Sequence, residues 1–221
     1  MTPRTPKPEA VKREPRQERA KKTYNAILDC VERIILTKSI EKLTPRAVVI
    51  ETGITQGALY RYFADVAEMR DALFERYMDE FHALVRTSFD EAKLSDAVEA
   101  MELLFELVLG FHRRRPAILR LSLDPTTHGR AHAVEQRRQS IASIIAETLR
   151  VKGIIKDYDR ATLEEIYLCV MISASLTKAA LLRAPEGDPL TIDAARRIIR
   201  RQAAAFDPSL LGQTPVPEPV H

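Results

Sequence analysis

Apolar residues recur every three or four positions along most of this 221-residue chain, and this spacing limits what the chain can fold into. The same stretches are rich in Ala, Leu, Ile, Arg and Glu, which favour helices, and the whole chain has only seven glycines. Runs of alternating apolar and polar residues, as found in strands, are missing. The pattern predicts an all-α protein with about nine helices.

The two ends of the chain are rich in proline and poor in apolar residues, so they cannot form a core. We expect flexible tails at residues 1–17 and 208–221. Between them, we expect a small helical domain at residues 18–64 and a larger one at residues 65–207. The first 22 residues carry eight Lys and Arg against three Glu, a surplus larger than the net charge of +3 of the whole chain.

The composition also bears on the compartment. Cys30 and Cys169 lie far apart in apolar helical segments, which favours small buried residues in a reducing cytosol over a disulfide. The N-terminus does not resemble a signal peptide, and we find no stretch of about 18 apolar residues. We therefore expect a cytoplasmic protein with no membrane partner.

The segment LTPRAVVIETGITQGALYRYF (residues 43–63) has the start and stop signals of two short helices. Thr44 and Pro45 form a helix start, with Thr as the N-cap and Pro at the first helical position. Gly53 suits the left-handed residue that ends such a helix, and Thr55 can cap a second helix two residues later. Helix, turn and helix within about twenty residues is the spacing of DNA-binding helix-turn-helix units. The second helix would expose Gln56, Gly57, Ala58, Tyr60 and Arg61.

The apolar residues of this segment fall where two crossed helices need contacts. Val48, Ile54 and Leu59 can lock the helices at a steep angle, and Tyr62 and Phe63 can cover the far side. An ordinary corner between two helices of a bundle has the same turn. The residues alone therefore leave two alternatives, a DNA-binding unit and a structural corner.

Over about residues 19–81 the chain resembles the N-terminal domain of the TetR family of bacterial transcriptional regulators. The shared pattern is T-x-R-x-[apolar]-x-x-x-x-G-[IV]-[ST]-x-G-x-L-Y-x-Y-F. It is matched by Thr44, Arg46, Val48, Gly53, Ile54, Thr55, Gly57, Leu59, Tyr60, Tyr62 and Phe63. The resemblance implies a three-helix DNA-binding domain, followed by a helical domain that binds an effector and dimerises. It implies a homodimeric regulator that binds a palindromic operator, with a repressor released by a small, largely apolar ligand as the favoured form.

By position, the resemblance also implies roles for individual residues. Backbone contacts are implied for Thr44, Tyr60 and Tyr62. Base-edge positions are implied for Arg46, Gln56, Gly57 and Ala58. The expected DNA-binding set also includes Thr55 and Arg61. Small residues at the N-terminal end of a reading helix allow close approach, and a glutamine amide can bond adenine bidentately.

Two positions depart from the family pattern. Val49 stands where alanine is usual, which predicts a slightly spread helix pair, and Val66 stands where a phosphate-binding lysine is common. We expect a flexible basic arm before the first helix to follow the DNA backbone or enter the minor groove, with a solvated tail as the alternative. The arm residues are Arg13, Arg16, Arg19, Lys21 and Lys22.

The segment LEEIYLCVMISASLTKAALL (residues 163–182) is apolar nearly all round, which predicts a helix buried on two sides. We expect a homodimer interface formed by residues 159–183 and 191–206, with burial inside one monomer as the alternative. The small residues that would allow close approach are Ser173, Ala174, Ser175, Ala179 and Ala180.

An effector pocket is expected between this helix and an earlier one, with apolar walls and few polar groups. Its expected residues are Met101, Leu104, Phe105, Val108, His112, Cys169, Ser173 and Thr177. Ordinary core packing would explain the same residues. The sequence does not reveal which ligand would bind there.

Enzymatic chemistry has no support in the sequence, which lacks a Gly-rich phosphate loop, a nucleophile elbow and a regular carboxylate cluster. We expect no catalytic residues, no cofactor and no metal. His128 and His132 lie near His112 and Asp124, but without the ligand spacing of a metal site. The alternative function is a helical adaptor or a helical enzyme in which the helix-turn-helix is only a structural corner.

Overall fold

The computed structural model describes residues 16–123 and 131–203, with side chains described for residues 17–123 and 134–203. Every regular element in these ranges is a helix, which confirms the predicted all-α fold with about nine helices. The α-helices are α1 (Arg16–Thr37), α2 (Pro45–Thr52), α3 (Gln56–Leu59), α4 (Val66–Glu91), α5 (Ala97–Arg114), α6 (Pro116–Leu123), α7 (Ala131–Val151), α8 (Arg160–Arg183) and α9 (Pro189–Ala203). One 3₁₀ turn, Ile40–Lys42, follows α1.

Internal contacts divide the chain into two compact units between Met69 and Arg70, within α4. The first unit contains α1 to α3 and the first residues of α4. Its core is formed by the apolar stripe of α1, where Ile27, Val31 and Ile34 have no exposed surface. This burial follows from their spacing of three and four residues, which places them on one face of the helix.

The second unit contains the rest of α4 and α5 to α9, and α8 packs against α5, α7 and α9. The fully or nearly buried residues of α8 are Ile166, Cys169, Val170, Ser173, Thr177, Ala180 and Leu181. By length and composition α8 is also apolar enough to cross a membrane, so the expectation that no such stretch exists is wrong. Because α8 packs against three other helices, a core helix accounts for this composition.

Side-chain caps fix the start of α5. Asp96 caps this helix, since its Oδ1 accepts a hydrogen bond from the backbone N–H of Glu99 (2.8 Å). The Glu99 carboxylate in turn accepts from the backbone N–H of Ser95 (2.8 Å), which completes a reciprocal capping arrangement.

The last helix starts at Pro189, two residues before the predicted start, because the Asp188 carboxylate accepts from the backbone N–H of Thr191 (2.9 Å). Proline at the first helical position is compatible with this cap. The predicted end of this helix at Phe206 and the predicted C-terminal tail lie outside the described residues.

Candidate nucleic-acid interface and effector cavity

The start and stop signals of α2 are confirmed. Thr44 is the N-cap, and its Oγ1 accepts a hydrogen bond from the backbone N–H of Ala47 (3.1 Å). Gly53 ends the helix in the left-handed conformation, with φ of 71°, and its N–H donates to the carbonyl of Val49 (3.0 Å). A left-handed residue reverses the chain here without the steric strain that a side chain would add.

The second helix of the pair, α3, is short and continues as turns. Thr55 caps it, since its Oγ1 accepts from the backbone N–H of Ala58 (3.2 Å). Beyond the end of α3, the N–H of Phe63 donates to the carbonyl of Leu59 (3.1 Å). Leu59 and Val48 have no exposed surface, so the helix pair is locked by the apolar contacts expected for it.

The outer face of this pair carries most of the residues expected at DNA. Those classed as exposed are Thr44, Arg46, Thr55, Gln56, Gly57, Tyr60 and Arg61. Ala58 and Tyr62 are half-buried. The helix pair thus exposes a set of polar and small side chains, as a reading surface requires.

Gly57 is not needed for the packing or the backbone conformation of the free protein. A Cβ placed on it would meet no atom within 4 Å, and its φ is not positive. Since glycine weakens a helix, its presence here has no structural benefit within the described residues. It does leave space for another molecule to approach the backbone of α3 closely.

An aromatic cluster fixes the end of the helix pair against α1. The ring of Tyr24 stacks on Phe63 at a centroid distance of 5.1 Å and lies 6.5 Å from the ring of Tyr62. This contact explains why Tyr62 is only partly exposed. Its ring is held by α1, which restrains its orientation on the outer face.

The start of α4 follows directly and contains the unusual Val66. Asp65 Oδ1 accepts from the backbone N–H of Glu68 (2.8 Å), and the Glu68 carboxylate accepts from that of Ala64. Both carboxylates therefore cap the helix. Val66 is half-buried in the first turn and provides no charge for a phosphate.

The expected basic arm is partly helical. Arg19, Lys21 and Lys22 are exposed residues within α1, so the structure corrects their placement in a flexible arm. The helix begins at Arg16, within the predicted tail, because polar residues extend it before its first apolar position. Arg13 and the side chain of Arg16 lie outside the described residues, and the role of all five in DNA binding stays a prediction.

A cavity of about 620 Å³ lies within the second unit. Its apolar lining residues are Phe74, Met78, Phe81, Val108, Phe111, Ile118, Leu121, Val134, Ile141, Val170 and Ala174. Its polar lining residues are His112, Ser122, Glu135, Arg137, Arg138, Ser175 and Lys178. This volume and this balance of groups are typical of small-molecule sites.

Of the eight residues expected in the pocket, the cavity lining contains Val108 and His112. Buried residues outside the lining are Met101, Leu104, Phe105, Cys169, Ser173 and Thr177. The hydroxyl oxygens of Ser173 and Thr177 have no hydrogen-bond partner in the described part of the chain. The residues predicted from α8 lie on its most buried face, whereas the cavity lies beside the next face, which carries Val170, Ala174 and Lys178.

The small residues expected at a dimer interface also divide between two environments. Ser173 and Ala180 are fully buried within the protomer, and Ala174 and Ser175 line the cavity. Ser173 and Ala180 therefore cannot contact a second protomer, which corrects the expectation for these two. A role of Ala174, Ser175 and Ala179 at an interface stays a prediction. The large apolar side chains of α8 that are exposed are Leu168 and Leu182.

The polar groups around the cavity differ in how they are paired. Arg137 of α7 donates to Glu75 (3.0 Å) and to Asp79, both on α4. The hydroxyl of Tyr167 donates to the Glu135 carboxylate (2.8 Å), and burial together with this carboxylate raises the pKa of Tyr167.

The imidazole of His112 donates through Nδ1 to the carbonyl of Val108 (2.8 Å). Burial lowers the pKa of His112, and the hydrogen bond opposes this effect only in part. The neutral ring therefore presents Nε2 as an acceptor. We expect this tautomer because a carbonyl oxygen can only accept.

Neither cysteine is placed for chemistry. Cys30 and Cys169 are buried free thiols, and burial raises the pKa of Cys169 to about 12. A thiol with such a pKa is an inert core residue at neutral pH.

Among the described residues, no group of three or more His, Cys, Asp or Glu side chains could hold a metal. His128, Asp124 and the side chain of His132 lie outside the described residues.

No protein-family model matches this chain. The nucleoid occlusion factor SlmA of Shewanella sp. (strain W3-18-1) is 26% identical over 132 residues, which cover 59% of this chain and 64% of SlmA. The match thus spans less than two thirds of the length of that relative. The solved structure of a TetR-family transcriptional regulator from Streptomyces coelicolor is similar with a TM-score of 0.63 at 22% identity, over 83% of this chain and 98% of the regulator. FadR from Bacillus subtilis, solved in complex with stearoyl-CoA, is similar with a TM-score of 0.62 at 13% identity, over 83% of this chain and 98% of FadR.

The chain thus combines a helix-turn-helix in a small helical unit with a larger helical unit that contains a cavity, which defines a two-part, all-helical architecture. Within that architecture the fold of this chain is the TetR fold, and the resemblance seen in the sequence is confirmed at this level.

Proposed function

We propose that this protein is a cytoplasmic, homodimeric transcriptional repressor that binds a palindromic DNA operator and is released by a small, largely apolar ligand. The observation that carries the proposal is the exposure of Gln56 and Gly57 on α3, together with that of Arg46 and Arg61 in the same helix-turn-helix. The helix pair has polar reading groups and open space above the backbone of Gly57.

The surrounding hydroxyls suit a phosphate backbone. Oγ1 of Thr44 and of Thr55 each accepts from a backbone N–H, which leaves the hydroxyl proton free to donate to an oxygen. Tyr60 is 46% exposed and can donate in the same way. These contacts would set the register of α3, while Gln56 and Arg46 would read base edges.

The direct test is selection of bound fragments from the source genome, followed by binding to the selected duplex and to an unrelated duplex. Gln56→Ala should lose about 1–3 kcal/mol of discrimination at one symmetric pair of operator positions. Gln139→Ala, an exposed glutamine on α7, is the matched control and should bind like the parent protein. Equal weakening on all sequences by Gln56→Ala would exclude a base-reading role, and no preference for any duplex would favour a helical adaptor or enzyme.

The basic start of α1 would supply sequence-independent binding. Neutralising Arg19, Lys21 and Lys22 together should flatten the dependence of log affinity on log salt, because each phosphate that is no longer neutralised reduces the slope by about 0.9. Deleting residues 1–15, which removes Arg13 but keeps α1, should flatten it further with base preference kept. Identical slopes for the parent and both variants would show that this region does not touch DNA.

A homodimer is supported by exposed apolar side chains on α8 and α9. Half of the large apolar side chains that are exposed in the described residues lie on these two helices, namely Leu168, Leu182, Leu190 and Ile198. Such clustering is typical of an interface, and a two-fold dimer would present two reading helices to successive major grooves. Leu182→Glu should dissociate the dimer and so lower the mean molecular mass measured by light scattering. Val151→Glu, which replaces an apolar residue of α7 that is 70% exposed, should leave this mass unchanged. A dimer unaffected by Leu182→Glu would place the interface elsewhere.

The cavity of the second unit supports release by a ligand. It is largely apolar, and the similar fold of FadR accommodates stearoyl-CoA, a ligand with a long apolar chain. Ligand binding to one of two conformations would shift the dimer away from the form that fits the operator. The test is release of the selected duplex by compounds that raise the melting temperature of the protein.

A further inference from the structure

We propose that the cavity of the second unit binds an amphipathic organic anion, whose acidic group contacts Lys178 and whose apolar part lies against the phenylalanines of α4 and α5. The inference rests on the proposed ligand-released regulator and adds the chemical class of the effector. It comes from how the charges around the cavity are paired.

Three cations line the cavity, and they differ in their partners. Arg137 is paired with Glu75 and Asp79, so its charge is more than balanced. Arg138 has no ion-pair partner in the described chain, but it follows Glu135 by about one helical turn, and the field of that carboxylate opposes its own.

Lys178 has no ion-pair partner in the described residues, and no acidic residue lies one helical turn away from it on α8. It lies on one stripe of α8 with Val170 and Ala174, four residues apart, and all three line the cavity. Its ammonium donates one hydrogen bond, to the carbonyl of Ser122 in the last turn of α6 (3.2 Å). An ammonium has three N–H donors, so two remain for a ligand.

The surroundings of Lys178 suit an anion. The side chain is half-buried while its ammonium stays accessible, and no acidic side chain among the described residues is paired with it, so the head group of an anion can pair with this charge. Ser175, one turn before Lys178 on the cavity side of α8, adds a hydroxyl that can donate to the same acidic group.

Another part of the lining is apolar and aromatic. The rings of Phe81 and Phe111 contact each other at a centroid distance of 5.1 Å, and Phe74 and Ile118 extend the same surface. A hydrocarbon body would be removed from water there, and the cavity volume lies in the range of drug-sized ligands. The lining therefore fits a molecule with one acidic end and one apolar body, whereas a cationic molecule would meet Lys178 unfavourably.

The test uses four probes with the same ten-carbon chain: decanoate, decyl phosphate, decanol and decyltrimethylammonium. Binding to the full-length protein without DNA is measured by titration calorimetry below the micelle concentration of each probe. We expect one or both of the anions to bind about tenfold or more tightly than decanol, and the cation to bind most weakly. Preference between decanoate and decyl phosphate distinguishes a carboxylate from a phosphate head group.

Three variants locate the head group. Lys178→Gln should weaken anion binding by about ten- to hundredfold, while decanol binding is unchanged. Lys178→Arg keeps the charge and should retain most of the affinity. Arg138→Gln removes a cation from the same lining and should have the smaller effect, and melting temperatures show that each variant is folded.

Equal binding of anion and alcohol, equal loss of both in Lys178→Gln, or binding of none of the four probes would overturn the proposal. Release of the selected duplex is measured separately. Anion binding that depends on Lys178 without DNA release would support the ligand class and refute ligand-released repression. Release of DNA by a ligand whose binding does not depend on Lys178 would support ligand-released repression and refute the proposed ligand class.

Discussion

Replacing Gly57 with alanine should raise the stability of the protein and weaken its binding to DNA. In the free protein a Cβ at this position meets no atom within 4 Å, and the backbone does not need glycine. Alanine in place of a helical glycine therefore stabilises the fold by about 0.5–1 kcal/mol. For a chain of this size, that corresponds to a melting temperature higher by about 1–4 °C.

The effect on DNA has the opposite sign because the added methyl group would lie where α3 approaches the base edges. A methyl forced into a closely packed contact costs about 1–3 kcal/mol, and a dimer has two such contacts. Operator affinity should therefore fall at least tenfold, as measured by fluorescence anisotropy with the selected duplex. Changes in stability and binding of opposite sign exclude simple misfolding as the cause.

Gly110→Ala is the matched control, because Gly110 lies inside α5 and a Cβ there would meet only the flexible end of Arg114, at 3.3 Å. This variant should also be stabilised, with no change in operator affinity. The reasoning would be refuted if Gly57→Ala bound the operator as tightly as the parent protein. A lower melting temperature of that variant would show that the space above Gly57 is not open.

Three further outcomes follow from the described side chains. Val66→Lys should add one phosphate contact per half-site and steepen the salt dependence of log affinity by about 2; an unchanged slope would show that the start of α4 does not reach the backbone. Ala174→Leu, which narrows the cavity, should blunt release by ligand with operator affinity kept, and full release by the same ligand concentration would exclude this cavity as the effector site. Burial lowers the pKa of His112, so the folded state binds fewer protons than the unfolded one, and the free energy of unfolding in urea should fall as pH decreases below about 6.5. His112→Gln should lose part of that dependence, and an identical pH profile would assign it to other groups such as His82.

The sequence by itself determined the helix-turn-helix. The caps of Thr44 and Thr55 and the left-handed turn at Gly53 are local interactions within a few residues, so they leave a readable signal. The all-α fold was predictable for the same reason, since three- and four-residue spacing reports the burial of one helix face. The caps of α5 and α9 by Asp96 and Asp188 are local in the same way, although the predicted start of the last helix was Thr191.

The cavity was decided only by the tertiary structure. Spacing along α8 shows that the helix is apolar, but the side that faces a core and the side that faces a cavity depend on the rotation of α8 against its neighbours. Ser173 and Thr177 are therefore buried in the core, while Lys178, one residue after Thr177, lines the cavity with side chains from α4, α6 and α7. Contacts between residues far apart in the chain leave no periodic signal in one sequence, which is why the wall formed by Phe74 and Arg137 could not be read from it.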